Sequence, residues 1–356
     1  MRQRHAETRP LRQRRFRAFV WILLTMVVTS MALPATGYLW VAVQDARAQD
    51  QPRQAEEANP RSEYWREVRE GNEGYTAVTG QETDVLIQNG GQIWREARNG
   101  PIAGIGAVMV IAVILALAAY HLAKGGNKLE KRTGRTVVRW PLFDRVIHWY
   151  TAVLFVIMAI TGMSLLWGRA VLIPVFGKPG FAAWAQLAIW IHNYLALFFI
   201  AGLLVMLVAW FRENLFKSYD LEWFRKLGGY LGGGHAPAGF ANAGEKVWYW
   251  TLVFAGGALV ISGFYLLFPN FGFERDTMQL SNVVHNIAAM GLIAFAVLHI
   301  YLGTLGSEGV FEGMWTGEVD EGWAQQHHDR WFEEVKKEGQ TKTERPSPGQ
   351  STATSH

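Results

Sequence analysis

Five runs of apolar residues, at about 102–122, 146–167, 184–211, 247–268 and 283–305, are each long enough to cross a bilayer, which takes about 20 helical residues. In hydrocarbon a segment has to pair its own backbone N–H and C=O groups, so runs of this kind become spanning helices. The expected fold is an all-α membrane protein. Its last four spans form one four-helix bundle over 146–305, and 102–122 adds an extra N-terminal transmembrane helix. The 356 residues include no cysteine, which excludes a disulfide framework, a thiolate iron–sulfur cluster and haem attached through C-x-x-C-H. Any redox cofactor must then be held by His, Met or carboxylate. The net charge is only +4 and no basic stripe or nucleic-acid motif occurs, so a nucleic-acid partner is not expected.

Charge asymmetry between the loops sets orientation. The segment 123–145 carries Lys124, Lys128, Lys131, Arg132, Arg135, Arg139 and Arg145, and 212–246 carries Arg212, Lys217, Arg225, Lys226 and Lys246. The alternate loops are poor in positive charge: 168–183 has Arg169 and Lys178, and 269–282 has Arg275. The basic loops and the C-terminus are therefore expected in the cytoplasm, and 49–101 outside. Residues 1–48 have a basic start, an apolar stretch and small residues at Ala46 and Ala48, which reads as a signal peptide cleaved after Ala48. An uncleaved first helix is the alternative. In the extracytoplasmic segment 49–101, "WREVREG" at 65–71 is echoed by "WREARNG" at 94–100, and each echo is expected to be locally helical. Residues 123–145 read as a cytoplasmic linker. The tail from 306 to 356 starts acidic and aromatic and ends in a polar stretch that cannot bury a core.

The spans carry four histidines at depth: His148, His192, His285 and His299. A strongly polar side chain inside a spanning helix is costly and marks a functional site. His285 and His299 are fourteen residues apart, which advances a helix by about 21 Å and returns it to within about 40° of the same face. Depth pairs His192 with His285 in the outer half and His148 with His299 in the inner half. Facing imidazoles with apolar walls and no carboxylate suit bis-imidazole ligation of two b-type haems, with the iron as the bound metal. Gly162 in "ITGMS" and Gly263 in "ISGF" are expected to make room for the flat macrocycle. His121 is expected to snorkel at a span end, and His327 and His328 to be solvated in the tail. A zinc or proton-relay reading of the four lacks an accompanying Asp, Glu or Cys.

Two haems at these depths would form a transmembrane electron wire, with lipid-soluble quinone available as acceptor. The glycine-rich loop 228–250 could set Asn242 and His235 against a quinone carbonyl, with His235 as proton donor; a solvated loop is the alternative.

The four spans with these histidines, the stretch "FANAGEKVWYW" and the tail "MWTGEVDEGWAQQHHDRW" resemble the cytochrome b (gamma) subunit of membrane-bound formate dehydrogenase. The likeness runs from about 135 to 335. The N-terminal stretch "YWREVREGNEGYTAV" and the extra span are similar to a longer bacterial form of that family. The resemblance implies two haem b groups with the same histidine pairing and a menaquinone or ubiquinone site near the inner haem. It places Asn242 and Gly244 at quinone-contact positions and has Glu245 where the family often has Gln. It further implies an iron–sulfur beta subunit and a molybdenum- or tungsten-containing alpha subunit that oxidises formate, in the bacterial inner membrane. This chain would then transfer electrons and hold no catalytic residue. A cytochrome b subunit of a hydrogenase or of another molybdopterin oxidoreductase shares this plan, and a haem-free bundle relaying protons is a further alternative.

Overall fold

The computed structural model describes residues 89–230 and 234–344. The expected signal peptide at 1–48, the echo at 65–71 and the end of the tail lie outside them. Helix α1 (Asn89–Ala97) runs through a wide π turn at Arg98–Ile102 into α2 (Ala103–Lys124). The strand β1 (Thr136–Val138) follows, then α3 (Leu142–Val171), α4 (Ile173–Ala209) and a short α5 (Asp220–Arg225). The next crossing is α6 (Ala243–Thr251), which continues through a second π turn at Leu252–Gly256 into α7 (Gly257–Leu267). After α8 (Arg275–Thr304) come α9 (Val310–Thr316), β2 (Glu318–Asp320), α10 (Glu321–His327) and α11 (Asp329–Glu344).

Five helices are long and apolar enough to cross a membrane: Ile93–Lys124, Leu142–Val171, Ile173–Ala209, Ala243–Leu267 and Arg275–Thr304. Each matches an expected span. The first starts earlier than expected, at Asn89 rather than 102, because Pro101 does not end the helix. Proline has no N–H to give to the ladder, and the wide turn spreads that loss over Arg98–Ile102 instead of breaking the rod. "WREARNG" therefore belongs to the spanning helix.

Leu154 of α3, Leu195 and Leu203 of α4 and Leu292 of α8 are almost wholly enclosed at the bundle centre. Lipid is as apolar as leucine, so what favours this core over dispersal in the bilayer is close packing rather than escape from water. Outward-facing Val108, Ile111, Leu197, Leu204 and Ile261 suit contact with acyl chains. The first span leans on α8 through Val110, Met290, Ile293 and Ala294, and the Trp167 indole N–H donates to the Ala103 carbonyl at 3.0 Å.

At one end of the bundle the linker and the tail fold together as a cap. β1 pairs antiparallel with β2 in the register Thr136↔Asp320, Val137↔Val319 and Val138↔Glu318. Val319, Trp323, Ala324, Trp331 and Phe332 close a second core beneath them. Asp320 caps α10 by accepting from the Gly322 N–H, and also accepts from the N–H groups of Thr133 at 3.0 Å and Gly134 at 2.8 Å. Burial pushes its carboxyl up, but those backbone donors outweigh it and hold the group below its ordinary value.

The Arg139 guanidinium is enclosed by Trp140, Phe240, Trp323 and Trp331, with ring centres 4.8 to 5.4 Å away. Burial lowers it to about 10, so it remains a cation. The expectation of solvated tail histidines is corrected here. His328 is 1% exposed, donates from Nδ1 to the Gly239 carbonyl at 2.7 Å and lies against Trp323. Burial holds its imidazole well below the usual value. His327 packs on the same indole. The aromatic residues that looked like part of an acidic tail are the core that covers both.

Candidate functional site

Helix α8 carries two of the four half-buried histidines of the spans, one toward the cap and one toward the far side of the bundle. α4 brings His192 to His285, with ring centres 6.2 Å apart and planes at 69°. α3 brings His148 to His299, with ring centres also 6.2 Å apart and planes at 57°. Both pairs expected from depth thus occur, His148/His299 on the cap side and His192/His285 on the far side. A first-row metal binds imidazole nitrogen at about 2.0–2.1 Å, and the nitrogen lies roughly 1.1 Å from the ring centre, so trans imidazoles on one iron stand about 6.3 Å apart, centre to centre. Both pairs therefore have the separation that bis-imidazole ligation requires. Among the described residues no group of three or more His, Cys, Asp or Glu gathers in the manner of a polydentate metal site. The donor set is two lone imidazoles per level, which fits haem iron and not zinc.

The far-side pair is held by hydroxyls. Thr161 Oγ1 lies 2.8 Å from the Ile157 carbonyl, four residues back, and 2.9 Å from His192 Nδ1. Ser262 Oγ repeats this at 2.6 Å from the Ala258 carbonyl and 3.2 Å from His285 Nδ1. Gly162 and Gly263 follow these hydroxyls in sequence. A Cβ at either would stand 3.2 Å from Cε1 of His192 or His285 respectively. The two glycines, expected to admit the macrocycle, also leave room for the imidazoles.

The cap-side pair is walled by indoles. Trp248 lies parallel to His299 at 5.2 Å, Trp210 lies against His148 at 6.3 Å, and Trp149 meets His148 edge-on.

Of the three residues expected at a quinone, Asn242 and His235 line one cavity and Gly244 does not. Asn242 caps α6, with Oδ1 accepting the Glu245 N–H and Glu245 Oε2 accepting the Asn242 N–H, each at 2.9 Å. A Gln could supply the same oxygen as Glu245, so exchange at that position keeps the cap. Gly244 sits under the Trp223 indole, where a Cβ would be 2.8 Å from Cη2. His235 Nε2 lies 3.1 Å from Asp329 Oδ2 in α11. Burial pushes Asp329 up, but the Ala238 N–H and His235 outweigh it and lower that carboxyl. Asn242 and His235, but not Gly244, line a cavity of about 780 Å³ between the glycine-rich loop and the cap, together with Trp223, Tyr230 and His327.

Elsewhere, His121 Nδ1 meets the Tyr301 hydroxyl at 3.2 Å. Asn286, next to His285, donates back to the Asn282 carbonyl of its own helix. Sequence reasoning missed Thr161 and Ser262. Their signal is the hydroxyl-glycine step common to "ITGMS" and "ISGF", read above for its glycine alone.

A family model of prokaryotic cytochrome b561 matches residues 139–317, which takes in both histidine pairs. The formate dehydrogenase cytochrome b556(fdo) subunit of Escherichia coli K12 is 28% identical over 213 residues, covering 59% of this chain and 98% of that subunit. The nitrate-inducible formate dehydrogenase cytochrome b556(Fdn) subunit of the same strain is 27% identical over 209 residues, covering 57% and 93%. The formate dehydrogenase cytochrome b556 subunit of Haemophilus influenzae is 25% identical over 214 residues, covering 58% and 87%. This chain belongs to the prokaryotic cytochrome b561 family, a family of haem b membrane proteins, and over more than half of its length it is similar to the cytochrome b subunits of formate dehydrogenases.

Proposed function

We propose that this chain is the membrane-anchoring dihaem cytochrome b subunit of a respiratory formate dehydrogenase, carrying electrons from an iron–sulfur subunit across the bacterial inner membrane to quinone. The observation that carries the reading is two half-buried imidazole pairs, each at 6.2 Å, at two depths along one helix that gives a member to each. His192 and His285 hold one haem b, and His148 and His299 hold the other. Haem b would supply a one-electron couple; the chain would supply imidazole nitrogens, apolar walls and spacing.

The excess of Lys and Arg in the loops on the cap side supports a cytoplasmic cap. A beta subunit with iron–sulfur clusters then delivers electrons on the far side, and an alpha subunit with molybdenum or tungsten oxidises formate there. Menaquinone or ubiquinone accepts electrons at the cap side. The cavity beside Asn242 offers a polar chamber open to water at that level, with His235 and its Asp329 partner at its wall. Gly244 acts there by keeping Trp223 close. Taking protons from the cytoplasm while electrons travel inward moves charge across the bilayer, worth about 2.3 kcal/mol per charge for each 100 mV.

The test is a reduced-minus-oxidised spectrum with pyridine haemochrome quantitation on the purified chain and on His285→Ala and His299→Ala. Two b haems are expected in the parent, and each variant is expected to lose a different one. A colourless parent would overturn the reading. In intact membranes, formate-driven quinone reduction is expected to disappear in both variants.

A further inference from the structure

The far-side pair carries a device that the cap-side pair lacks. A hydroxyl has one proton, and a carbonyl oxygen can only accept. Thr161 touches the Ile157 carbonyl at 2.8 Å and His192 Nδ1 at 2.9 Å, so once its proton is given to the carbonyl, its oxygen is left to accept from Nδ1–H. Ser262 stands in the same relation to the Ala258 carbonyl and His285 Nδ1. In both rings Nδ1 then bears the proton, and Nε2 keeps the lone pair that a metal needs. The glycines that follow leave room for the rings, since a Cβ at Gly162 or Gly263 would stand 3.2 Å from Cε1 of His192 or His285 respectively. Two unrelated segments, in α3 and α7, thus build one clamp twice. On the cap side, His148 Nδ1 is buried without a partner, and among the described residues no hydrogen bond reaches either ring.

Resting on the dihaem reading above, we propose that Thr161 and Ser262 are positioning residues that fix the tautomer of His192 and His285 and set the far-side haem to a lower potential than the cap-side haem. A hydroxyl accepting from Nδ1–H makes the imidazole a more basic ligand, which favours ferric over ferrous iron and lowers the potential. With no such acceptor, the cap-side site lies higher, and an electron arriving on the far side moves downhill toward the cap.

The experiment is a potentiometric titration of the purified haem-loaded chain, with low-temperature α-band and low-spin ferric EPR spectra to separate the two sites. It is run on the parent, Thr161→Val, Ser262→Ala and the hydroxyl-retaining Thr161→Ser and Ser262→Thr. Removing either hydroxyl is expected to shift the midpoint of the far-side component to more positive potential and to change its EPR signal, with the cap-side component unmoved and haem content still two. The hydroxyl-retaining variants are expected to titrate like the parent. Variants that carry both haems and titrate unchanged, or that shift the cap-side component instead, would overturn this inference alone. A parent without haem would overturn the dihaem reading and this inference with it.

Discussion

The membrane bundle and the cap satisfy their polar groups in opposite ways. In the bundle, side-chain hydroxyls turn back to carbonyls of their own helix three or four residues away: Thr161 to Ile157, Ser164 to Thr161, Ser262 to Ala258 and Thr304 to Ile300. In the cap, partners come from the far end of the described chain. Thr133 and Gly134 bind Asp320, Arg132 binds Glu308, Arg135 binds Glu321, and the Glu130 N–H binds Gln326.

The solvent explains the contrast. A polar group entering hydrocarbon has no water to wait in, so it needs a partner at once and locally. A group in water can remain hydrated until a distant partner arrives. Polar contacts between spanning helices are then the exceptions worth reading, and the two hydroxyl–imidazole contacts at the far-side pair are among them.

The contrast can be broken most strongly where the two regions meet. Lys246, at the start of the fourth crossing, is 1% exposed and puts Nζ 3.0 and 2.7 Å from the two carboxylate oxygens of Asp220. Lys246→Met leaves that carboxylate buried and unpaired, which is expected to cost about 3–5 kcal/mol and to show as a large fall in the melting temperature of the detergent-solubilised protein. Asp220→Asn with Lys246→Met is expected to recover much of the loss.

A smaller break lies inside the cap. Val319→Ala empties space beside Trp323 and is expected to cost about 1–2 kcal/mol. Limited proteolysis should then cut between α9 and α11 sooner while the haem content of the purified chain stays that of the parent. Loss of haem in that variant would show that the cap and the bundle do not stand independently.

The smallest break is Asp320→Ala, at about 1 kcal/mol for a lost cap residue. Its sign with pH follows from the lowered carboxyl. The contribution of Asp320 is complete above its unfolded value of 3.8 and is lost as pH falls through the lower folded value. Hydrogen exchange at Thr133 and Gly134, corrected for intrinsic rate, should quicken through that window in the parent and stay flat in the variant.

The bundle was legible from sequence because hydrocarbon leaves a span little choice but helix, and fourteen residues between His285 and His299 fix a face and a depth difference without any knowledge of packing. Depth alone then paired them with His192 and His148. The clamp was not legible, since which neighbour of a ligand meets it depends on how α3 and α7 rotate against α4 and α8. Gly162 and Gly263 were read for a macrocycle alone, and a sequence gives no sign that the His192 and His285 rings also lie against them. The cap was missed for a different reason. β1 and β2 are three residues each, too short to show alternation, and their partners lie at opposite ends of the described chain. His328 looked exposed because nothing local announces that Trp323 and Trp331 will cover it.

The ribbon of β1 and β2 has one consequence for how the chain is made. Four of the five spans lie between the two strands, Leu142–Val171, Ile173–Ala209, Ala243–Leu267 and Arg275–Thr304. An even number of crossings returns the chain to the side it left, so Val137 and Val319 can meet. If a single crossing were skipped during insertion, they would be stranded on opposite faces of about 30 Å of hydrocarbon. The ribbon therefore closes only on chains whose crossings number an even count, and its six residues serve as a parity check on threading.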